Sequence, residues 1–185
     1  YWYPLYAFLR RRGTQRTGAE DLVQAFFVLI LERGDLEAAD PGRGRFRAWL
    51  LTALKHFVIN ERERERALKR GGGRKLLSID WDAAEERYAA EPATDRTPER
   101  EFDRAWALAT LERAAERLRE EYEERGRSEL FNALRPQLAA GTETGDRETL
   151  ARELGLTPGA LKVAIHRLRQ RFGVALRAEI GETLE

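Results

Sequence analysis

An all-α fold of two small helical domains joined by a partly helical linker is predicted by three observations. Apolar residues recur at three- and four-residue steps along nearly the whole chain, and the two-residue alternation of a strand is absent. Clusters of glycine, proline or hydroxyl residues punctuate those periodic runs at 40–45, 71–73, 97–98 and 155–158. With 185 residues, the chain has room for one domain or two small ones.

The first helix carries Trp2, Leu5 and Leu9 on one face and ends near Gly13. A second runs from Ala19 to Arg33. Its residues Leu22, Phe26, Leu29 and Ile30 form one stripe, while Val23, Phe27 and Leu31 form another. A helix this apolar on two faces either sits at the centre of a core or also serves a partner. Pro41, Gly42 and Gly44 break the chain within the loop Asp40 to Arg45. A third helix follows from about Phe46 to about Lys69, with Phe46, Trp49, Leu50, Ala53, Leu54, Phe57 and Val58 inward. Beyond Asn60 it becomes an alternating Glu/Arg run with high helix propensity and no face to bury, and Gly71 to Gly73 end it.

Residues 76–97 read as an acidic linker with local order. Thr97 and Pro98 then signal a helix start, a hydroxyl cap before a first-turn proline. The helix after them places Leu108, Leu111, Ala115, Leu118 and Tyr122 on one side. A shorter apolar segment, Leu130 to Leu138, is kinked or ended by Pro136. The expected domains are 1–75 and 98–185.

Composition excludes several chemistries. There is no cysteine, hence no disulfide framework, thiolate metal site or cysteine nucleophile. No apolar run approaches the ~20 residues of a membrane span, and the opening Tyr1-Trp2-Tyr3-Pro4 lacks the basic start of a signal peptide. A cytoplasmic location is the expectation. The chain opens without methionine, as expected of a segment of a longer gene product. No phosphate-cradling glycine motif is present. Glu61, Glu63 and Glu65 beside His56 do not make a metal site, because alternate helical residues point about 200° apart. No metal, cofactor or enzymatic activity is expected.

Lys plus Arg total 33 against 32 acids, a balance that conceals segregation. Residues 61–75 hold seven bases and three acids, residues 76–100 three arginines and seven acids. Residues 158–172 hold Lys162, Arg167, Arg169 and Arg171 and no acid.

That last patch lies in a helix-turn-helix pattern, residues 147–172. Leu150 and Leu154 face inward on the first helix, and small Ala151 stands four residues before the turn at Gly155. Thr157 caps and Pro158 starts the second helix, with Leu161, Ala164, Ile165, Leu168 and Phe172 inward. Lys162, Val163, His166, Arg167 and Gln170 then face outward, with Arg169 and Arg171 on the flanks. Such a face suits the major groove, where Arg and Lys hold phosphates or read guanine and Gln reads adenine. A solvated basic face on an ordinary helical hairpin is the bland alternative.

The span AEDLVQAFF, then DPGRGRFRAWLLTALKHFVIN with its basic end, resembles conserved region two of the extracytoplasmic-function (ECF) sigma factors of bacterial RNA polymerase. Arg147 to about Leu176 resembles region four, and the whole resembles a subgroup with a long segment between the two. The resemblance implies a non-enzymatic subunit that directs core polymerase to promoters and helps to open them. It implies that Asp21, Leu22, Gln24 and Phe27 dock on the clamp helices of the largest subunit. It further implies that the loop with Arg43 and Arg45, together with Trp49, Lys55, His56 and Asn60, captures an extruded base of the proximal promoter element. Arg62, Arg64, Arg66, Lys69 and Arg70 would hold phosphates. Trp49 lies on the inward stripe, so ordinary core packing is a second reading for it. Promoter DNA and core polymerase are the implied partners, with an anti-sigma protein or other regulator as a third. A regulator that binds duplex DNA without polymerase is the alternative; it accounts for 147–172 but not for the apolar helix at 19–33.

Overall fold

The computed structural model describes residues 1–33, 46–67, 79–90, 96–138 and 147–181, with side chains at 65–67 excepted. Its helices are α1 (Trp2–Arg11), α2 (Arg16–Arg33), α3 (Phe46–Ala67), α4 (Trp81–Ala90), α5 (Pro98–Glu124), α6 (Ser128–Leu134), α7 (Arg147–Glu153) and α8 (Pro158–Gly181). A single 3-10 turn, Arg135–Leu138, follows α6 and holds Pro136, the residue expected to end that helix. No strand occurs among the described residues, so the fold is all-α.

The chain divides into two compact units, Tyr1–Ala109 and Thr110–Glu182. The division falls inside α5 rather than at its start, twelve residues beyond the expected boundary at Thr97. Within the first unit, α1 is the central element. Every residue from Tyr3 to Leu9 is buried, so the helix is enclosed on all sides rather than along the single stripe Trp2, Leu5, Leu9. Tyr6, Phe8 and Leu5 are completely covered, each worth about 1.5–3 kcal/mol of apolar burial.

Around α1 pack α2 through Ala19, Val23, Phe26 and Ile30, and α3 through Leu50, Leu54, Phe57 and Val58. On α2 the covered set mixes the two stripes, taking Phe26 and Ile30 from one and Val23 from the other, while Leu22 is only half-buried. Both stripes are equally apolar, and the register was decided by which residues α1 and α3 could cover. The start of α5 closes this core with Phe102, Ala105 and Trp106.

Helix α4 forms inside the stretch whose charge reads as linker, and it belongs to the first unit's core through Ala84. Asp80 starts it, accepting a hydrogen bond from the Ala83 amide at 3.0 Å. Trp81 meets the rings of Trp2 and Tyr6. Glu85 accepts from the Tyr6 hydroxyl and from Arg10 at Nε (3.1 Å) and Nη2 (2.7 Å). Arg87 lies 4.2 Å over the Tyr3 ring, and Arg16 pairs with Asp82.

Burial pushes the Glu85 carboxyl up, but the Tyr6 and Arg10 hydrogen bonds outweigh it and hold the group below the usual carboxylate range. Burial and the same bond push the Tyr6 hydroxyl upward. A depressed carboxyl stabilises the fold above its unfolded pKa of about 4.3 and loses that contribution as pH falls through the folded value. Glu85→Ala leaves the Tyr6 hydroxyl buried without its partner. The expected cost at neutral pH is about 1–3 kcal/mol, with a shallower decline of stability in acid. Urea midpoints measured across the acid range check both.

In the second unit, α5 and α6 contribute Leu118, Tyr122, Phe131 and Leu134, while α7 and α8 contribute Ala151, Leu161, Ile165 and Leu168. The end of α8 is pinned by a buried carboxylate: Glu179 receives Arg113 at 3.0 Å and Arg117 at 3.4 Å. From Trp106 onward the buried positions of α5 are Trp106, Thr110, Ala114, Leu118 and Tyr122. Leu111, expected inward, is 39% exposed, and Ala114 is buried where Ala115 was expected. A strict four-residue step drifts about 40° per step around a helix, so the stripe winds and a fixed-face reading misassigns its middle.

Candidate nucleic-acid interface

Helices α2 and α3 leave between them a groove of about 740 Å³. Its floor is Phe26, Ile30 and Phe57, with small Ala53 giving it depth. Asp21, Ala25, Val28 and Glu32, spaced at four, seven and eleven residues, line one wall. Trp49, His56, Asn60 and Arg64 line the other, two turns separating the first pair and one turn each of the next. Trp49 stacks on Phe46 with ring centroids 5.6 Å apart and is half-buried, so its indole belongs to the core and the groove wall together.

Of the site residues singled out by sequence, the groove collects Asp21, Gln24, Trp49, His56, Asn60 and Arg64. Gln24 is 3% exposed and lies at the base of the wall, whereas Asp21 is open to solvent. Leu22 and Phe27 are half-buried outside it, and Arg62 is exposed outside it. Lys55 turns away: its ammonium donates to Glu99 at 2.8 Å and sits 5.6 Å from the Phe8 ring centroid. The Lys55 hydrogen bond holds the Glu99 carboxyl below its usual range. Arg43, Arg45, Lys69 and Arg70 lie outside the described residues, as does the Arg66 side chain. Sequence reading passed over Glu32 and Arg33, which also line the groove; their only signal was position, about two turns beyond Ala25 and one beyond Val28.

A groove with an aromatic wall, an apolar floor and a rim of imidazole, amide, carboxylate and guanidinium groups can seat a flat ring and bond to its edge. No group of three His, Asp or Glu residues that could hold a metal occurs among the described residues. No helix among them is long and apolar enough to cross a membrane.

Residues 3–68 match the sigma-70 region 2 family. That family is helical and non-enzymatic, and it acts in promoter recognition and melting, binding core RNA polymerase and promoter DNA. The match spans α1, α2 and α3, including both walls of the groove. No curated protein and no solved structure was found to match the chain.

Outside the region 2 match, the second unit presents the basic face. Helices α7 and α8 are joined at Gly155, whose φ of +63° favours glycine. The Leu156 amide donates to the Ala151 carbonyl at 2.8 Å and the Gly155 amide to Arg152 at 3.1 Å, closing the turn. Thr157 caps α8, its hydroxyl accepting from the Ala160 amide at 3.1 Å. Ala151 is 2% exposed, and only its small side chain lets the helices approach there.

Lys162, Val163, His166, Arg167 and Gln170 are all exposed on α8, with Val163 at 48%. Arg169 is committed otherwise, donating to the Gln137 carbonyl at 2.9 Å. Lys162, His166 and Arg169 rim a recess with Arg147 and Glu148, above the buried Leu161 and Ile165.

Proposed function

We propose that the chain is a sigma factor of the ECF type, directing core RNA polymerase to specific promoters and helping to open them. The observation that carries this reading is the region 2 match over residues 3–68. The apolar surface left on α2, with Leu22, Phe27 and Leu29 half-buried and Leu31 59% exposed, supports docking on a large partner. In this reading Asp21, Leu22 and Phe27 meet the clamp helices of the largest subunit, and Gln24 supports them from within.

The groove seats a base extruded from the proximal element, stacked on Trp49 and bonded at its edge by His56 and Asn60. Unstacking costs a few kcal/mol, and capture of the base offsets it. Arg43, Arg45, Arg62 and Arg66 hold nearby phosphates; Lys55, engaged by Glu99, acts through the position of α3 rather than by direct contact. The exposed face of α8 reads the distal element as duplex, with Lys162, Val163, His166, Arg167 and Gln170 toward the groove. Arg169 fixes α8 against Gln137. Two modest DNA contacts held on one polymerase gain affinity by effective concentration. An anti-sigma protein that covers these surfaces is the natural regulator.

Promoter-specific run-off transcription with purified core polymerase tests the reading. Discrete transcripts that depend on the added chain are expected; transcription that the chain leaves unchanged contradicts it.

A further inference from the structure

The corner between α5 and α6 brings four guanidinium-bearing residues to one recess, and region 2 plays no part in it. Arg125, Arg127, Arg167 and Arg171 line a cleft of about 610 Å³ whose wall is the buried ring of Tyr122. The α5–α6 turn creates the arrangement. Gly126, with φ +64°, lets the Arg127 amide bond back to the Tyr122 carbonyl at 2.8 Å and the Gly126 amide to Glu123 at 2.8 Å. The turn therefore folds Arg127 back beside Tyr122 instead of projecting it along the helix. From α8, Arg171 lies 5.9 Å over the same ring.

The charge in this cleft is unbalanced. Glu121 serves two of the four arginines, Arg125 at 2.9 Å and Arg171 at 3.2 Å. Arg127 and Arg167 are exposed and have no ion pair among the described residues. Like charges held together without a counterion repel one another, and an anion relieves that repulsion. Several guanidinium groups in an open cleft suit a run of phosphates better than one small enclosed anion.

Arg167 supplies the direction. It lies one residue from His166 on α8, so the cleft flanks the face that points outward through Lys162 and His166. A helix lying in a major groove has the sugar-phosphate backbone along its flank. We infer that Arg125 and Arg127, with Arg171, form a phosphodiester grip on one strand beside the duplex read by α8, while Arg167 at the edge of the cleft stays with the reading face. This inference rests on the proposed duplex reading by that helix. The grip fixes register on the duplex and carries no sequence information of its own.

Anisotropy titrations of a labelled duplex with the full chain, from about 50 to 200 mM salt, test it. Arg125→Ala/Arg127→Ala should lower the log–log salt slope by about 1.8, at about 0.9 per phosphate contact, and weaken all duplex sequences alike. Arg125→Lys/Arg127→Lys should restore the slope, and equal melting temperatures show that both variants fold. An unchanged slope, or an altered sequence preference, overturns the grip while leaving the duplex reading intact. Inorganic phosphate that binds the wild type while the variant's duplex slope stays unchanged assigns the cleft to a free anion and also overturns it. Wild-type chain that binds no duplex overturns the duplex reading itself, and the grip with it.

Discussion

Replacing Lys162 and Arg167 together with alanine should abolish promoter choice in run-off transcription while polymerase assembly is retained. Each bidentate base contact discriminates by about 1–3 kcal/mol, so losing two removes about 30-fold to 10⁴-fold of preference for the cognate over a scrambled distal element. Both side chains are exposed on α8, and its buried face of Leu161, Ile165 and Leu168 is untouched. Melting of the variant should therefore match the wild type. Competition between cognate and scrambled templates in one reaction reads the effect directly. Retained preference would show that α8 does not read the distal element.

The second large effect is on stability. Phe8→Ala removes a fully covered ring from a helix that is buried on every side. The loss should be about 3–5 kcal/mol, transfer and cavity together, against a total of about 5–15 kcal/mol for an ordinary domain. The ring also lies beneath two cations, Arg12 at 5.5 Å and Lys55 at 5.6 Å, so its removal loosens α3 as well as α1. The second unit has a separate core and should keep its own transition. Urea unfolding followed by tryptophan fluorescence reports on the first unit, where all four tryptophans reside. A cost below about 1 kcal/mol would mean that α1 is not the hub of that core.

Local rules predicted local structure well. Thr97 and Thr157 both cap helices where a hydroxyl precedes proline, accepting from the Arg100 and Ala160 amides, and Gly155 takes the left-handed turn that its position demanded. The α8 stripe of Leu161, Ile165 and Leu168 is buried as its spacing implied. What periodicity could not decide was which of two apolar faces would be covered. Val23 is covered more fully than Leu22 on α2 because neighbouring helices, not the helix itself, choose the face.

Helix α4 escaped a charge-based reading because its contacts are polar and distant in sequence. Glu85 looks like one acid among seven until Tyr6 and Arg10 meet it across more than seventy residues. Gln24 looked like a surface amide in an Asp-Leu-Val-Gln run, yet it is buried at the groove wall. Arg125 and Arg127 sit in an acidic neighbourhood, and only the turn at Gly126 brings them to Arg167 and Arg171.

The most direct test of the account is co-purification of the chain with core RNA polymerase on a sizing column. A stable stoichiometric complex is predicted for the wild type. Asp21→Ala/Leu22→Ala should weaken it at least tenfold without lowering the melting temperature, because Asp21 is exposed and Leu22 only half-covered. A chain that elutes apart from polymerase yet holds duplex DNA tightly by itself would contradict the account.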